Sequence, residues 1–115
     1  MDFLDILIER RKENEKYFRK PEEYAKLIKL KSEKILGCVE VYLFGSIVRK
    51  DWTLSSDIDI LVVSEKEINP EDKGKIKVEL LKSVDFFAPF EIHLVSQELF
   101  EKWYKKFIKD EYIKI

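Results

Sequence analysis

Two short stretches of the chain decide its fold: VEVYLFGS at residues 39–46 and DIDILVV at residues 57–63. Each is rich in β-branched, aliphatic and aromatic residues, a composition that predicts a buried strand. The first strand ends in the Gly45-Ser46 turn, and the second begins with two aspartates. Since side chains alternate along a strand, we expect Ile58, Ile60 and Val62 on one face of the sheet and both aspartates on the other.

The segments around these strands are mostly helical in period. Pro21 divides the charged N-terminal part into two helices, because proline suits a first helical position and Gly37 suits a helix end. The later elements are a helix opened by Asn69-Pro70, a third strand over residues 90–95, and a last helix capped by Ser96 before a short tail. The predicted order is ααβαβαβα, an α/β (α+β) fold with one sheet flanked by helices.

Length and composition narrow the function classes. With 115 residues and 45% hydrophobic content, the chain is expected to fold as a single domain. Its net charge of −1 argues against general nucleic-acid binding. A single cysteine excludes an internal disulfide, and without an apolar run of about 20 residues we expect no membrane span and a cytoplasmic protein. Abundant Lys and Glu with few amides indicate a thermophile source.

Asp57 and Asp59 are the strongest candidates for metal ligands. Carboxylates two positions apart on a strand project from the same face, about 7 Å apart along the chain. Burying the two carboxylates without compensation costs on the order of several kcal/mol each, whereas one divalent cation can bind both and balance their charge. Mg²⁺ is expected because it binds through one or two carboxylates and completes its shell with water and phosphate.

Gly45 and Ser46 supply the features of a phosphate site. Glycine lets the backbone approach a ligand closely, and N–H groups at a helix start attract phosphate oxygens. A Gly-Ser turn after one strand and an acidic pair at the start of the next could hold a triphosphate and its metal between them. This arrangement indicates phosphoryl or nucleotidyl transfer.

The pattern Leu43-Phe44-Gly45-Ser46, ten further residues, then Asp57-Ile58-Asp59 resembles the signature of the polymerase-β-type nucleotidyltransferase superfamily. The size resembles its minimal nucleotidyltransferase (MNT) branch. The resemblance implies the nucleotidyltransferase fold with a small mixed β-sheet, nucleotide binding by Gly45, Ser46 and Arg49, Mg²⁺ binding by the aspartates, and transfer of an NMP with release of pyrophosphate.

In that superfamily a third carboxylate comes from the next strand, and here two residues compete for the position. Glu91 and His93 point to the same face of the third strand. Chemistry favours Glu91 as the third metal ligand, while ungapped comparison favours His93, which could act as a general base or a softer ligand. Both are therefore predicted catalytic residues beside Asp57 and Asp59.

Several other residues have alternative roles. Arg49 either contacts phosphate or forms a surface ion pair with Asp51. Lys50 replaces a glycine that is frequent in the superfamily. Trp52 either covers the nucleotide or anchors its loop. The aromatic stripe of the last helix is expected to be buried in the core, with a partner surface as the alternative. Cys38 is expected to be a small buried residue.

The segment before Pro21 is an addition to the superfamily pattern, so we divide the chain into an extra N-terminal helix, residues 1–20, and a nucleotidyltransferase domain, residues 21–115. The extra helix begins with an apolar run at residues 3–8. It serves either as a cover for the core or as an oligomer or partner surface.

Isolated MNT proteins are typically antitoxins paired with a helical HEPN ribonuclease. The resemblance thus implies AMP transfer from ATP to a hydroxyl of that partner, such as the hydroxyl of a tyrosine, in a toxin–antitoxin system. Two alternatives stay open. One is a catalytically degenerate module that neutralises a partner by contact, and the other is a transferase for a small molecule.

Overall fold

The computed structural model describes residues 2–115 and contains a four-stranded mixed sheet flanked by helices. The helices are α1 (Phe3–Arg19), α2 (Pro21–Leu36), α3 (Ser46–Arg49), α4 (Pro70–Lys82), α5 (Gln97–Leu99) and α6 (Lys105–Ile108), and the strands are β1 (Val39–Phe44), β2 (Ile58–Ser64), β3 (Phe90–Ser96) and β4 (Tyr112–Lys114). A π-helical turn, Phe100–Tyr104, joins α5 to α6. The predicted fold class is confirmed, and the predicted order holds as far as β3.

The strands lie in the order β3-β2-β1-β4. β1 and β2 are antiparallel, which places Phe44 opposite Asp59. β2 and β3 are parallel, which places Asp59 opposite Glu91. The end of β1, the start of β2 and the start of β3 therefore meet at one end of the sheet.

Each face of the sheet is covered by a separate hydrophobic cluster. Ile58, Ile60 and Val62 pack with buried side chains of α1, α2 and α4, as the alternation in β2 predicts. Leu61 and Val63 point to the opposite face and pack beneath residues 97–108, which we call the C-terminal helical segment. Asp59 shares this second face, so the candidate site opens beside the C-terminal helical segment rather than beneath α2.

Helix α1 begins with a capping box, in which Asp2 and Asp5 each accept a hydrogen bond from the other's backbone N–H. Its last turn is anchored by Tyr17 and Phe18, which are both buried. Its first turns leave large apolar side chains in solvent, among them Phe3 and Leu4. The end of α1 therefore covers the core, and its beginning is an exposed apolar surface.

The C-terminal helical segment corrects one expectation. An unbroken α-helix would bury Trp103 and Phe107 with Phe100, but these two side chains are 69% and 76% exposed. The cause is the π-helical turn, in which the Lys105 N–H bonds to the carbonyl of Phe100, five residues earlier. The additional residue in this turn shifts the inward position from Phe107 to Ile108, which is buried.

The tail, to which the sequence assigned no element, contributes a fourth strand, because residues 112–114 pair antiparallel with the end of β1 as strand β4. Lys29 Nζ holds the chain end by donating to the carbonyl of Ile115 at 2.9 Å. One smaller expectation is wrong. Cys38 is exposed, since it precedes β1 beside the Gly37 helix end rather than entering the core. Within residues 2–115, no helix is both long and apolar enough to cross a bilayer.

Candidate active site

Asp59 lies at the centre of the candidate site. It is the second residue of β2, its side chain is about one-quarter exposed, and its carboxylate packs against the backbone of Gly45. A β-carbon at Gly45 would lie 3.3 Å from Asp59 Cγ and closer still to Oδ2. The glycine therefore makes room for the carboxylate, and the predicted pairing of the turn with the acidic strand exists in the fold.

Glu91 and His93 complete a cluster around Asp59. His93 Nε2 is 3.3 Å from Asp59 Oδ1 and 3.9 Å from Glu91 Oε1. One ligand atom from each of the three residues lies within 4.8 Å of the others. The structure therefore brings both candidates for the third position to Asp59. Glu91 is the more accessible of the two, with a side chain 57% exposed against 24% for His93.

His93 has two mutually exclusive uses in this arrangement. When Nε2 carries a hydrogen, it donates to Asp59 and holds the carboxylate in place. When the ring hydrogen is on Nδ1 instead, the lone pair of Nε2 is free to bind a cation. The ring is positioned by Phe44 and Tyr104, whose centroids lie 5.2 and 6.0 Å away.

Asp57 is not brought into this cluster. It precedes the first residue of β2 and is exposed, and the three-residue group around Asp59 does not include it. The i, i+2 spacing places Asp57 on the same side of the chain as Asp59, one residue before β2 begins. Its assignment as a metal ligand stays a prediction.

Gly45 adopts a backbone conformation that only glycine takes readily, with φ 77° and ψ −149°. This conformation turns the chain from β1 directly into α3. Ser46 is the first residue of α3, which is a single turn of four residues. The distinguishing feature of the turn is thus the missing side chain at Gly45, whose space is occupied by the Asp59 carboxylate.

Arg49 ends α3, and its Nε donates to Asp51 Oδ2 at 3.3 Å. The surface ion pair that we considered is therefore present. Arg49 also lines a cleft of about 240 Å³ together with Gly45 and Asp59. A guanidinium group paired only to an exposed carboxylate remains able to contact a phosphate in that cleft.

The two residues after Arg49 also have structural roles. Lys50 adopts the left-handed conformation, with φ 64°, which explains why glycine suits this position. Trp52 stacks on Phe18, with ring centroids 4.9 Å apart. Trp52 therefore anchors its loop against α1.

Sequence reasoning missed a second cleft beside His93. It has a volume of about 480 Å³ and is almost entirely apolar, and its lining residues are Phe44, His93, Leu99, Trp103, Tyr104 and Phe107. Most of the aromatic residues were visible as a stripe in the sequence, but their spacing pointed to a core helix. We call this cavity the aromatic cleft.

The donor set is compatible with a divalent cation. Asp59 and Glu91 offer the carboxylate oxygens that Mg²⁺ prefers. The imidazole of His93 adds a nitrogen donor, which also suits Mn²⁺ and other transition ions. No side-chain polar atom in residues 2–115 is both buried and without a hydrogen-bond partner, so the cluster does not need a cation to satisfy its buried groups.

The chain is similar to known proteins in sequence and in structure. The family model described as the nucleotidyltransferase domain matches residues 26–115. A solved structure of a candidate nucleotidyltransferase is 30% identical, covers 78% of this chain and 95% of its own, and superposes with a TM-score of 0.53. A second candidate nucleotidyltransferase, from Sulfolobus solfataricus, is 26% identical over 84% of this chain and 82% of its own, with a TM-score of 0.47.

No curated protein matches the sequence significantly. The family match covers the whole sheet, the Gly45 turn and the Asp59 cluster, and it supports transfer of a nucleotide as the general activity. It starts within α2, so α1 lies outside it. On this evidence the chain belongs to the nucleotidyltransferase domain family.

Proposed function

We propose that the protein is a Mg²⁺-dependent nucleotidyltransferase that moves AMP from ATP to a hydroxyl group of a protein acceptor. The observation that carries this proposal is the contact between the Gly45 backbone and the Asp59 carboxylate. This contact places the Gly-Ser turn directly beside a carboxylate that is proposed to bind Mg²⁺, and a metal-bound triphosphate uses both a phosphate-binding turn and a metal ligand. Arg49, on the same cleft, supplies positive charge for the phosphates.

In the proposed reaction the acceptor oxygen attacks the α-phosphorus of ATP. The new oxygen–phosphorus bond forms as the bond to the β-phosphate bridging oxygen breaks, and pyrophosphate leaves. Glu91 accepts the hydroxyl proton, because its carboxylate is exposed to an incoming acceptor. His93 holds Asp59 in position. Bound Mg²⁺ would offset the charge that develops on the phosphates.

Asp59 and Glu91 are the proposed Mg²⁺ ligands, and Asp57 is proposed to add a further carboxylate ligand. Its exposure and its position two residues before Asp59 support this role. Ser46 is proposed to bind phosphate through its hydroxyl, next to the Gly45 backbone. Both assignments rest on placement and on the superfamily resemblance.

The proposed acceptor is a tyrosine of a helical HEPN-type protein, which would make this chain the antitoxin of a cytoplasmic toxin–antitoxin pair. The MNT-like size supports this, as does the exposed apolar start of α1, where Phe3 and Leu4 offer a partner surface. A stand-alone transferase would instead act on a small molecule.

The test is transfer of label from ATP to an HEPN-type protein encoded beside this chain. With Mg²⁺, ATP labelled at the α-phosphate should label the partner, whereas ATP labelled at the γ-phosphate should not. Asp59→Asn should abolish labelling. Asp72→Asn, which removes an exposed carboxylate from the first turn of α4, should leave it unchanged. Labelling by γ-labelled ATP would identify a kinase and contradict the proposal.

One observation favours a second candidate, a binding module without turnover. The side chain that hydrogen-bonds to Asp59 is an imidazole, and no second carboxylate lies as close to it within the described three-residue group. If Asp59→Asn removes labelling and also releases the partner from inhibition, the enzyme hypothesis stands. If neutralisation survives Asp59→Asn and no label is transferred by the native chain, the binding module replaces it.

A further inference from the structure

We propose that the aromatic cleft is the binding site for the base of the nucleotide, with Trp103 and Phe107 of the C-terminal helical segment as its stacking surface. This inference rests on the proposed function, since it assigns a position to one part of the same substrate. It also gives a role to side chains that the fold leaves in solvent.

The first argument is continuity between the two clefts. The smaller cleft, which contains Gly45, Arg49 and Asp59, shares Phe44 and Phe107 with the aromatic cleft. One ligand can therefore occupy both if it has an anionic part and a flat apolar part. A nucleoside triphosphate has this division, with phosphates at one end and a base at the other.

The second argument is chemical. Apart from His93, the lining of the aromatic cleft is hydrophobic or aromatic. Its volume of about 480 Å³ falls within the range of about 300–1,000 Å³ that is typical of small-molecule sites. Aromatic rings stack on the π-face of any base, and such stacking contributes strongly to binding.

The third argument is the π-helical turn. A regular helix would direct Phe107 toward the sheet, but the additional residue at Phe100–Tyr104 places Ile108 there instead. Trp103 and Phe107, four residues apart, are consequently exposed at the edge of the cleft. π-helical turns are frequent at functional sites, where they redirect side chains.

The experiment measures binding by tryptophan fluorescence in the Trp52→Phe background, in which Trp103 is the only tryptophan. The ligands are α,β-methylene-ATP, which cannot release pyrophosphate, and inorganic tripolyphosphate, which has no base, each with Mg²⁺. We expect the nucleotide analogue to quench Trp103 and to bind at least tenfold more tightly than tripolyphosphate.

Variants separate stacking from general damage. Since Trp103→Ala has no fluorophore, its affinities are measured by calorimetry in the native background. It should weaken the analogue by roughly 5- to 100-fold and leave tripolyphosphate unchanged. Phe87→Ala, which removes a similarly exposed ring outside both clefts, should change neither affinity.

The outcomes distinguish the two levels of the proposal. If tripolyphosphate binds as tightly as the analogue, and Trp103→Ala affects neither, the base site is wrong while the phosphate site stands. If neither ligand binds to the native chain, the proposed function fails together with this inference. If the analogue binds no more tightly than tripolyphosphate, and a bound partner protein shields Trp103 from solvent, the cleft is a protein-binding surface and the inference is overturned.

Discussion

The carboxylate of Asp59 occupies the space in which a side chain at Gly45 would begin. Oδ2 is the atom closest to an added β-carbon, with Cγ at 3.3 Å and Cβ at 3.5 Å. These residues belong to antiparallel neighbours, since Gly45 follows the last residue of β1 and Asp59 is the second residue of β2. The turn and the carboxylate therefore act as one unit, and a change in either affects both.

Gly45→Ala tests this unit. The β-carbon would displace Asp59, and alanine is strained at φ 77° and ψ −149°. We expect the free energy of unfolding to fall by about 1–3 kcal/mol and Mg²⁺-dependent nucleotide binding to be lost. Gly74→Ala is the matched control, because α4 has open space there and helix propensity predicts a gain of about 0.5–1 kcal/mol. Urea unfolding and calorimetric titration measure both effects, and unchanged binding in Gly45→Ala would refute the assigned contact.

Glu91→Gln and His93→Asn separate the two candidates for the third position. Glu91→Gln should lower the rate of label transfer by roughly 100-fold or more, because it removes the proposed proton acceptor and a proposed metal ligand. Loss of the imidazole should cost about tenfold, because Asp59 loses its hydrogen-bond partner but stays available to Mg²⁺. The reverse ranking in single-turnover assays would assign the position to His93.

Metal binding separates the two uses of His93. If Nε2 donates to Asp59, as proposed, His93→Asn should weaken the binding of Mg²⁺ and Mn²⁺ to a similar extent, as Asp57→Asn should. If Nε2 binds the cation instead, its nitrogen favours Mn²⁺, and His93→Asn should weaken Mn²⁺ binding selectively. Electron paramagnetic resonance of free Mn²⁺, with Mg²⁺ as a competitor, measures both affinities. A selective loss of Mn²⁺ affinity would contradict the hydrogen-bonding role.

Lys50→Gly should stabilise the protein by up to about 1 kcal/mol. Relief of the left-handed conformation at φ 64° is worth about 1–2 kcal/mol, against about 0.5–1 kcal/mol for the greater freedom of glycine in the unfolded chain. Lys50→Ala keeps the strained backbone and should give no gain. Thermal unfolding distinguishes the two, and equal stabilities would mean that the side chain rather than the backbone matters.

The ionisation of Tyr42 is expected to lower the stability of the protein at alkaline pH. Burial raises the pKa of its hydroxyl above the ordinary value of 10, and the Glu40 carboxylate, which accepts its hydrogen bond, raises it further. The protonated form is favoured in the folded state, so this stabilisation is complete below pH 10 and is lost as the pH rises toward the higher folded-state pKa.

Tyr42→Phe keeps the ring that stacks on Phe100 and removes the titrating group. Above pH 10 its stability should therefore decline less steeply than that of the native chain, by at most about 1.4 kcal/mol per pH unit. Urea unfolding at pH 8, 10 and 11 measures the slope. Parallel slopes would show that Tyr42 ionises equally easily in both states.

The sequence was informative where structure is local. The alternation of side chains in β2 and the turn at Gly45 are both set by residues that are adjacent in the sequence. The two faces of β2 and the pairing of the turn with the aspartate strand could therefore be predicted. The contact of His93 with Asp59 depends on parallel register between β2 and β3, which periodicity does not specify. The three residues of β4 were too few to give a strand signal of their own.

The additional residue in the turn Phe100–Tyr104 could not be predicted from the sequence, for a different reason. A helical stripe at i, i+3, i+4 and i+7 assumes a constant number of residues per turn, and one π-helical turn breaks that count without altering composition. Trp103 and Phe107 were thus assigned to the core from a spacing that fits an α-helix and not this segment.

The same turn has an evolutionary consequence. Deleting one of the residues 101–103 would restore regular helical winding and would leave Ile108 seven positions after Phe100, where it still faces the sheet. The insertion of one residue into an ancestral α-helix would therefore add a side chain beside the aromatic cleft without any change in the sheet or in the residues that follow the turn. Relatives should accordingly be compared for gaps between Phe100 and Tyr104 before they are compared for substitutions.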